Sequence, residues 1–272
     1  MNPIPDITTK RYALQLKGVK KTMAKIGLNN FKFGVLTEAD GGVVSYGAMQ
    51  SLGKAVDANV SITNNSAVLY ADDVIAESDN TFSAGTITLT IDDADDTVFA
   101  VLLGHEIDSS TQEMIRNAND TPPYVGVGRI INKLKGGVRY YKVEFLSKVK
   151  FAEPNQESTT HGETTEFGTQ QVEGTIVTLE NGQWSKTKTF TTHSAALAYL
   201  ASCFGQTIAA DTFAGSGTTA AFTLSHTPAS IFTVTINGTP TTAYTTSGTT
   251  LTFDEAPANG AVIYVSYAYQ EA

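Results

Sequence analysis

Alternation with a period of two runs through most of this chain, and it limits the fold to one dominated by β-sheet. FKFGVLT (31–37) puts Phe31, Phe33 and Val35 on one face, and NVSITNN (59–65) and GTITLTID (85–92) alternate likewise. YVGVGRII (124–131) and GVRYYKVEFLSKVKF (137–151) read as a hairpin turning at NKLKGG. VEGTIVTL (172–179) and QWSKTKTFTT (183–192) read as a second hairpin, turning at ENG. Between these runs, TEADGGVVSYG (37–47) reads as a Gly-rich loop, and LYADDVIAESDNTFSAG (69–85) as irregular and acidic.

Two segments carry a helical period instead. In DDADDTVFAVLLGH (92–105), Asp92 or Asp93 is placed to accept from the free N–H groups of the first turn. Val98, Val101 and Leu102 form its stripe, and Gly104 stops it. HSAALAYLASCFG (193–205) sets Leu197, Leu200, Ala201 and Phe204 on one side and ends at Gly205.

From residue 206 the composition changes. The last 67 residues contain 21 Ser or Thr and no Lys or Arg. AFTLSH, SIFTVTING, TTLTFDEAP and AVIYVSYAY read as strands of a separate small β-sandwich, joined through the small-residue linker GQTIAADTFAGSG (205–217). At the other end, Pro3 and Pro5 precede Lys10, Arg11, Lys17, Lys20 and Lys21, which suggests an extended basic arm over 1–22. EPNQESTTHGETTEFGTQQ (153–171) carries four Glu and no Lys or Arg between two strands. A structureless stretch that long is uncommon in a compact domain.

The 272 residues carry a net charge of −9, which suits phosphate binding poorly because each such contact needs a cation. A lone cysteine, Cys203, allows no intrachain disulfide and reads as a buried thiol. No run approaches the ~18 apolar residues of a membrane helix, and MNPIPDITTKRYALQLKG has the form of neither a signal peptide nor an anchor.

Catalytic patterns are missing. His105, His161, His193 and His226 lie in no recognisable signature, and no GxSxG elbow occurs. DDADD (92–96) fails the calcium-loop pattern, because the sixth position counted from Asp92 is Thr97 rather than Gly. GVGRIINKLKGG (126–137) lacks the GK[ST] ending of a phosphate loop. Tyr140 and Tyr141 fall on opposite faces of a strand and so form no stacking surface. No enzyme, cofactor or metal is expected.

Several strings, in order, resemble the major tail protein family of long-tailed, non-contractile bacteriophages. They are MAKIGLNNFKFGVLTE (23–38), LYADDVIAES (69–78), VLLGHEID (101–108), PPYVGVGRI (122–130), YYKVEFLSKVKFAEPNQESTTHGETTEFGTQQVEGTI (140–176) and NGQWSKT (181–187). The resemblance covers about residues 23–205. It departs from simpler members in the extension 1–22, in the added residues 206–272 and in a Thr-rich polar segment.

The resemblance implies a mainly β protein. Its tail-tube domain would be a β-sandwich or barrel-like unit with a flanking helix and a second short helix. The added residues resemble small immunoglobulin-like sandwich modules that decorate phage structural proteins. Such subunits form six-membered rings, and the rings stack into a hollow tube that conducts the genome into the host. The implied partners are copies of the chain, the tape-measure protein, the tail terminator and tip proteins, double-stranded DNA passing without specific binding, and host-surface glycans for the outer domain. No membrane insertion by this chain is expected. The expected location is the phage tail of the virion, after assembly in the bacterial cytoplasm. The alternative is an adhesin on a phage or cell surface that binds carbohydrate through residues 206–272.

In a ring subunit, the arm and long loops would reach the neighbours. Pro5, Lys10 and Arg11, then Asp40, Gly41 and Gly42, then Glu157, Thr160, Gly162 and Glu163 are the expected inter-subunit contacts. The stretch 153–171 is expected to touch a neighbour rather than line the lumen.

Overall fold

The computed structural model describes residues 24–39, 41–53, 55–71, 74–92, 95–155 and 169–271, and its fold is mainly β. The chain begins with β1 (Ala24–Ala39), β2 (Val43–Tyr46), β3 (Gln50–Ser51), β4 (Ala55–Ala71), β5 (Val74–Ile91) and helix α1 (Asp96–Leu103). Short strands β6 (Glu106–Ile107) and β7 (Met114–Ile115) precede β8 (Tyr124–Lys135) and β9 (Val138–Phe151). Next come β10 (Gln170–Ile176), β11 (Ser185–Phe190) and helix α2 (His193–Cys203). The remainder is β12 (Thr207–Ala214), β13 (Ala221–Thr223), β14 (Ser230–Ile236), β15 (Thr239–Pro240), β16 (Tyr244–Ser247), β17 (Thr250–Phe253) and β18 (Val262–Tyr269).

One antiparallel sheet organises the first two thirds, in the order β2-β1-β8-β9-β10-β5-β4, with β3 added to β1 and β11 to β9. Alternation gives it two apolar faces. Phe31, Phe33, Ile87, Leu89, Val125, Val127, Val149 and Val172 enclose one core, which Phe99, Leu102 and Leu103 of α1 complete. Leu36, Ile130, Val143 and Phe145 point the other way and meet Ala196, Leu200 and Phe204 of the α2 segment.

The sheet curls over its first core, and a buried cation marks the closure. Arg129 on β8 faces Glu144 on β9 in register. Its Nε donates to Glu144 Oε2 at 2.6 Å, and its Nη1 donates to the carbonyl of Ala58 on β4 at 2.7 Å. The guanidinium is 8 % exposed, so it needs these acceptors.

The glycines of GVGRII hold no phosphate. Val125 and Val127 face the first core, while Gly126 faces Tyr46 and Phe145 and Gly128 faces Leu200 of α2. A Cβ on Gly128 would lie 2.3 Å from Leu200 Cδ1, and one on Gly126 would lie 2.5 Å from the Tyr46 ring. The bare backbone lets Tyr46, Phe145 and Phe204 meet edge to face, with centroids 5.0–5.8 Å apart.

Several sequence expectations need correction. The segment 37–47 is no loop: β1 runs on to Ala39, and Gly41 and Gly42, at φ of 89° and 77°, lie in its turn into β2. The segment 69–85 belongs to a long hairpin pairing β4 with β5 from Ala55↔Ile91 to Ala71↔Val74. Register shifts at Thr63/Asn64 and Leu69/Tyr70 interrupt the alternation there, which hides the strands from a period-two reading. β10 and β11 do not form a hairpin with each other; they line up along the same strand, β9, on either side of the loop 177–184. Helix α1 is capped by Asp95, whose Oδ1 accepts from Thr97 N–H at 2.9 Å, rather than by Asp92 or Asp93. Its buried face is Phe99, Ala100, Leu102 and Leu103, and Val101 is exposed. The stretch expected as a linker contains β12, paired with β18 from Thr207↔Tyr269 to Ala214↔Val262.

The C-terminal strands form two sheets, β12-β18-β14-β15 and β13-β17-β16, around Val234, Leu251, Phe253, Ile263, Val265 and Tyr267. Its last two strands, β17 and β18, lie in different sheets, whereas an immunoglobulin domain keeps its last two in one. Ile208 and Phe232 of this sandwich pack against the α2-side core. Lys32 lies 6.0 Å from the Phe232 ring, and burial lowers the pKa of its amine.

Two substitutions test this packing by urea unfolding. Gly126→Ala pushes against two buried rings and is expected to cost about 1–3 kcal/mol. Glu144→Ala strands the Arg129 charge and is expected to cost about 3–5 kcal/mol, whereas replacing both partners by apolar residues of similar volume restores most of the loss.

Candidate assembly surface

β10 leaves β5 at Gly85, where Ile176 is its partner. The β4–β5 ladder continues beyond that point, from Asn64↔Phe82 to Ala71↔Val74. At about 3.3 Å per residue this adds a two-stranded ribbon roughly 25 Å long. Asn64–Ala67 and Ser78–Thr81 are exposed along it. Phe82 anchors its root by stacking on Trp184, with centroids 4.6 Å apart and planes 6° from parallel. Both rings also pack against the first core.

Among the described residues, no strand pairs with the outer edge of β4, with the Val74–Ala84 edge of β5 away from β4, or with the outer edge of β11. These backbone edges are ready to accept another strand. The sequence reading missed the ribbon. Its first strand was read only as far as NVSITNN (59–65), and LYADDVIAESDNTFSAG (69–85), which holds the rest, was read as irregular and acidic.

Of the expected contact residues, Pro5, Lys10, Arg11, Asp40, Glu157, Thr160, Gly162 and Glu163 lie outside the described residues. So do the arm 1–22 and most of the stretch 153–171. Gly41 and Gly42 form the β1–β2 turn, with Val43 beside them 67 % exposed. At this corner Glu38 pairs with Lys148, and its Oε1 accepts from Glu180 N–H at 3.1 Å. These contacts, with that to Lys148 foremost, lower the Glu38 carboxyl pKa.

A polar node fixes the chain just past β9. The His105 ring is 7 % exposed, with Nδ1 2.7 Å from Asp120 Oδ2 and Nε2 2.9 Å from Glu153 Oε2. Arg116 Nε reaches Glu153 Oε1 at 3.1 Å. Two ionised carboxylates can only accept, so satisfying both requires the imidazolium with both nitrogens protonated. Desolvation opposes the charge, but the two carboxylate bonds outweigh it and raise the His105 pKa. The Asn117 N–H bond, then the His105 bond, lower that of Asp120.

In the C-terminal sandwich, Tyr267 Oη donates to Asp211 Oδ2 at 2.7 Å, and Asp211 also takes the Ser225 N–H and hydroxyl. His226 stacks on Tyr269 at 3.8 Å beside a shallow cavity of about 350 Å³ lined by Thr227, Gln270 and Glu271. Cys203 is buried, and desolvation raises its thiol pKa. Among the described residues no cluster of three or more His, Cys, Asp or Glu could hold a metal, and no helix is long and apolar enough to cross a membrane.

The His105 node predicts a pH dependence. A raised histidine pKa adds stability in full below its unfolded value of about 6.5, and that stability is lost as pH rises through the folded value. Melting temperatures of the native chain and His105→Gln, followed from about pH 5 to pH 9, are expected to converge as pH rises. A constant gap contradicts this assignment. Compared with known proteins, the chain matches no family model and no curated protein.

Proposed function

We propose that this chain is a structural subunit that polymerises with copies of itself, forming stacked six-membered rings of a bacteriophage tail tube. The ribbon carries the self-assembly part of this reading. A lone two-stranded ribbon is marginal in water, and its open edges invite pairing with another chain. A subunit that keeps about 25 Å of such ribbon gains by covering it with a neighbour. The ordered resemblances across residues 23–205 support the tail-tube part. The net charge of −9 suits a conduit in which DNA slides without sticking.

On this reading the work is mechanical. Ladder hydrogen bonds and side-chain packing between copies hold the ring, and the lumen passes the genome. The tape-measure protein fills it during assembly. The sandwich of 206–272, docked beside α2 on the sheet face away from the first core, decorates the subunit.

Electron microscopy of the purified chain tests the proposal: stacked rings with a central channel are expected. A monomer or trimer that binds glycans and never polymerises overturns it in favour of an adhesin. A ribbon-trimmed variant tests the carrying observation. Replacing residues 65–81 with Asn-Gly keeps Asn64 opposite Phe82 in a tight turn. This variant is expected to melt close to the native chain and to form no tubes. Normal tubes from it would show that the ribbon is dispensable.

A further inference from the structure

Charge is segregated along this chain. Residues 55–115 contain 12 Asp or Glu and no Lys or Arg, whereas residues 116–150 contain eight Lys or Arg and two acids. The fold carries this segregation onto its open edges. The ribbon derives wholly from the acidic stretch. Glu77 and Asp79 lie on its β5 edge, opposite Leu69 and Ala67 of β4. β11 is an edge strand with the opposite character: Lys186 and Lys188 are both exposed, and they face Phe145 and Val143 of β9 in register. Lys188 Nζ also lies 5.3 Å from the Phe190 ring and 5.2 Å from the Tyr199 ring, which steady its stem.

We propose that copies of this chain associate head to tail, the β5 edge of the ribbon on one copy pairing with the β11 edge of the next. The inference rests on the polymerising-subunit reading and adds its polarity. Three observations carry it. Both edges have unpaired backbone among the described residues. Each edge carries two like charges at positions i and i+2 of its sequence, Glu77 and Asp79 on one and Lys186 and Lys188 on the other, and a strand repeats at about 6.6 Å per two residues, so the pairs can match one to one. A symmetric contact of either edge is disfavoured electrostatically: two β5 edges juxtapose carboxylates, two β11 edges juxtapose ammonium groups, and like charges directly opposite destabilise a strand pair. Of the pairings these two edges allow, only ribbon against β11 is attractive. A heterologous contact of this kind closes into a ring or propagates as a filament. Within one copy, the Phe82–Trp184 stack joins the root of the ribbon to the start of β11, yet the two strands share no ladder beyond it.

Charge reversal with mixing tests the pairing. Glu77→Lys with Asp79→Lys reverses the ribbon, and Lys186→Glu with Lys188→Glu reverses β11. Each double variant alone is expected to lose at least tenfold in assembly by sedimentation velocity and to form no rings by electron microscopy. An equimolar mixture of the two is expected to assemble, because both mixed contacts are attractive again. The quadruple variant should assemble for the same reason. The neutral pair Glu77→Gln with Asp79→Asn should weaken assembly without abolishing it. Unchanged melting of each variant excludes loss of fold. Double variants that assemble like the native chain overturn the proposal. So does recovery in the quadruple variant without recovery in the mixture, which would place the contact within one subunit. A native chain that never assembles overturns the polymer reading and this polarity with it.

Discussion

Arg129 has to be neutralised where β8 passes under β4, and the way this is done shapes the fold. Glu144 answers its charge from the neighbouring strand, and the Ala58 carbonyl takes a further donor from across the core. The first contact is local to a hairpin. The second couples strands 71 residues apart in sequence and holds the sheet in its curl. With the curl set, Phe33, Ile87, Leu89 and Val127 share one interior and α1 is its plug. The ribbon is what remains of β4 and β5 once the curled sheet has used the first half of β4 and the second half of β5. The open edges thus follow from the same closure that makes the core.

The opposite face follows a different rule. Gly126 and Gly128 lower the sheet surface enough for Leu200 and Tyr46 to settle on it. This seats α2, and α2 leads through Gly205, at a φ of 70°, directly into β12. The C-terminal sandwich therefore shares the α2 side of the sheet, away from the first core. The C-terminal sandwich and the plugged interior are separated by one sheet thickness.

Much of this was legible from residue patterns. The β8–β9 hairpin, the α2 segment with its Gly205 stop and the all-strand C-terminal quarter follow from alternation, capping and turn chemistry. The parts that escaped share one physical cause: long-range pairing decides them. Register shifts in β4 and β5 masked the longest hairpin, and a loop inserted along β9 made two collinear strands resemble a hairpin. Asp95 outcompeted Asp92 and Asp93 as the cap because β5 already claims the chain as far as Ile91. Long loops drew attention as contact sites. The edges of β4, β5 and β11 went unnoticed, because a free edge is a property of the sheet and not of any segment.

The central claim is that copies of this chain cover those edges. Hydrogen–deuterium exchange on dilute and on concentrated protein tests it directly at backbone resolution. The account predicts that amides of Val74–Ala84 and Ser185–Phe190 gain protection with concentration while those of β18, already paired on both sides, stay unchanged. Equal exchange of the ribbon and β11 amides at every concentration, in protein shown to be polymerised, would contradict it.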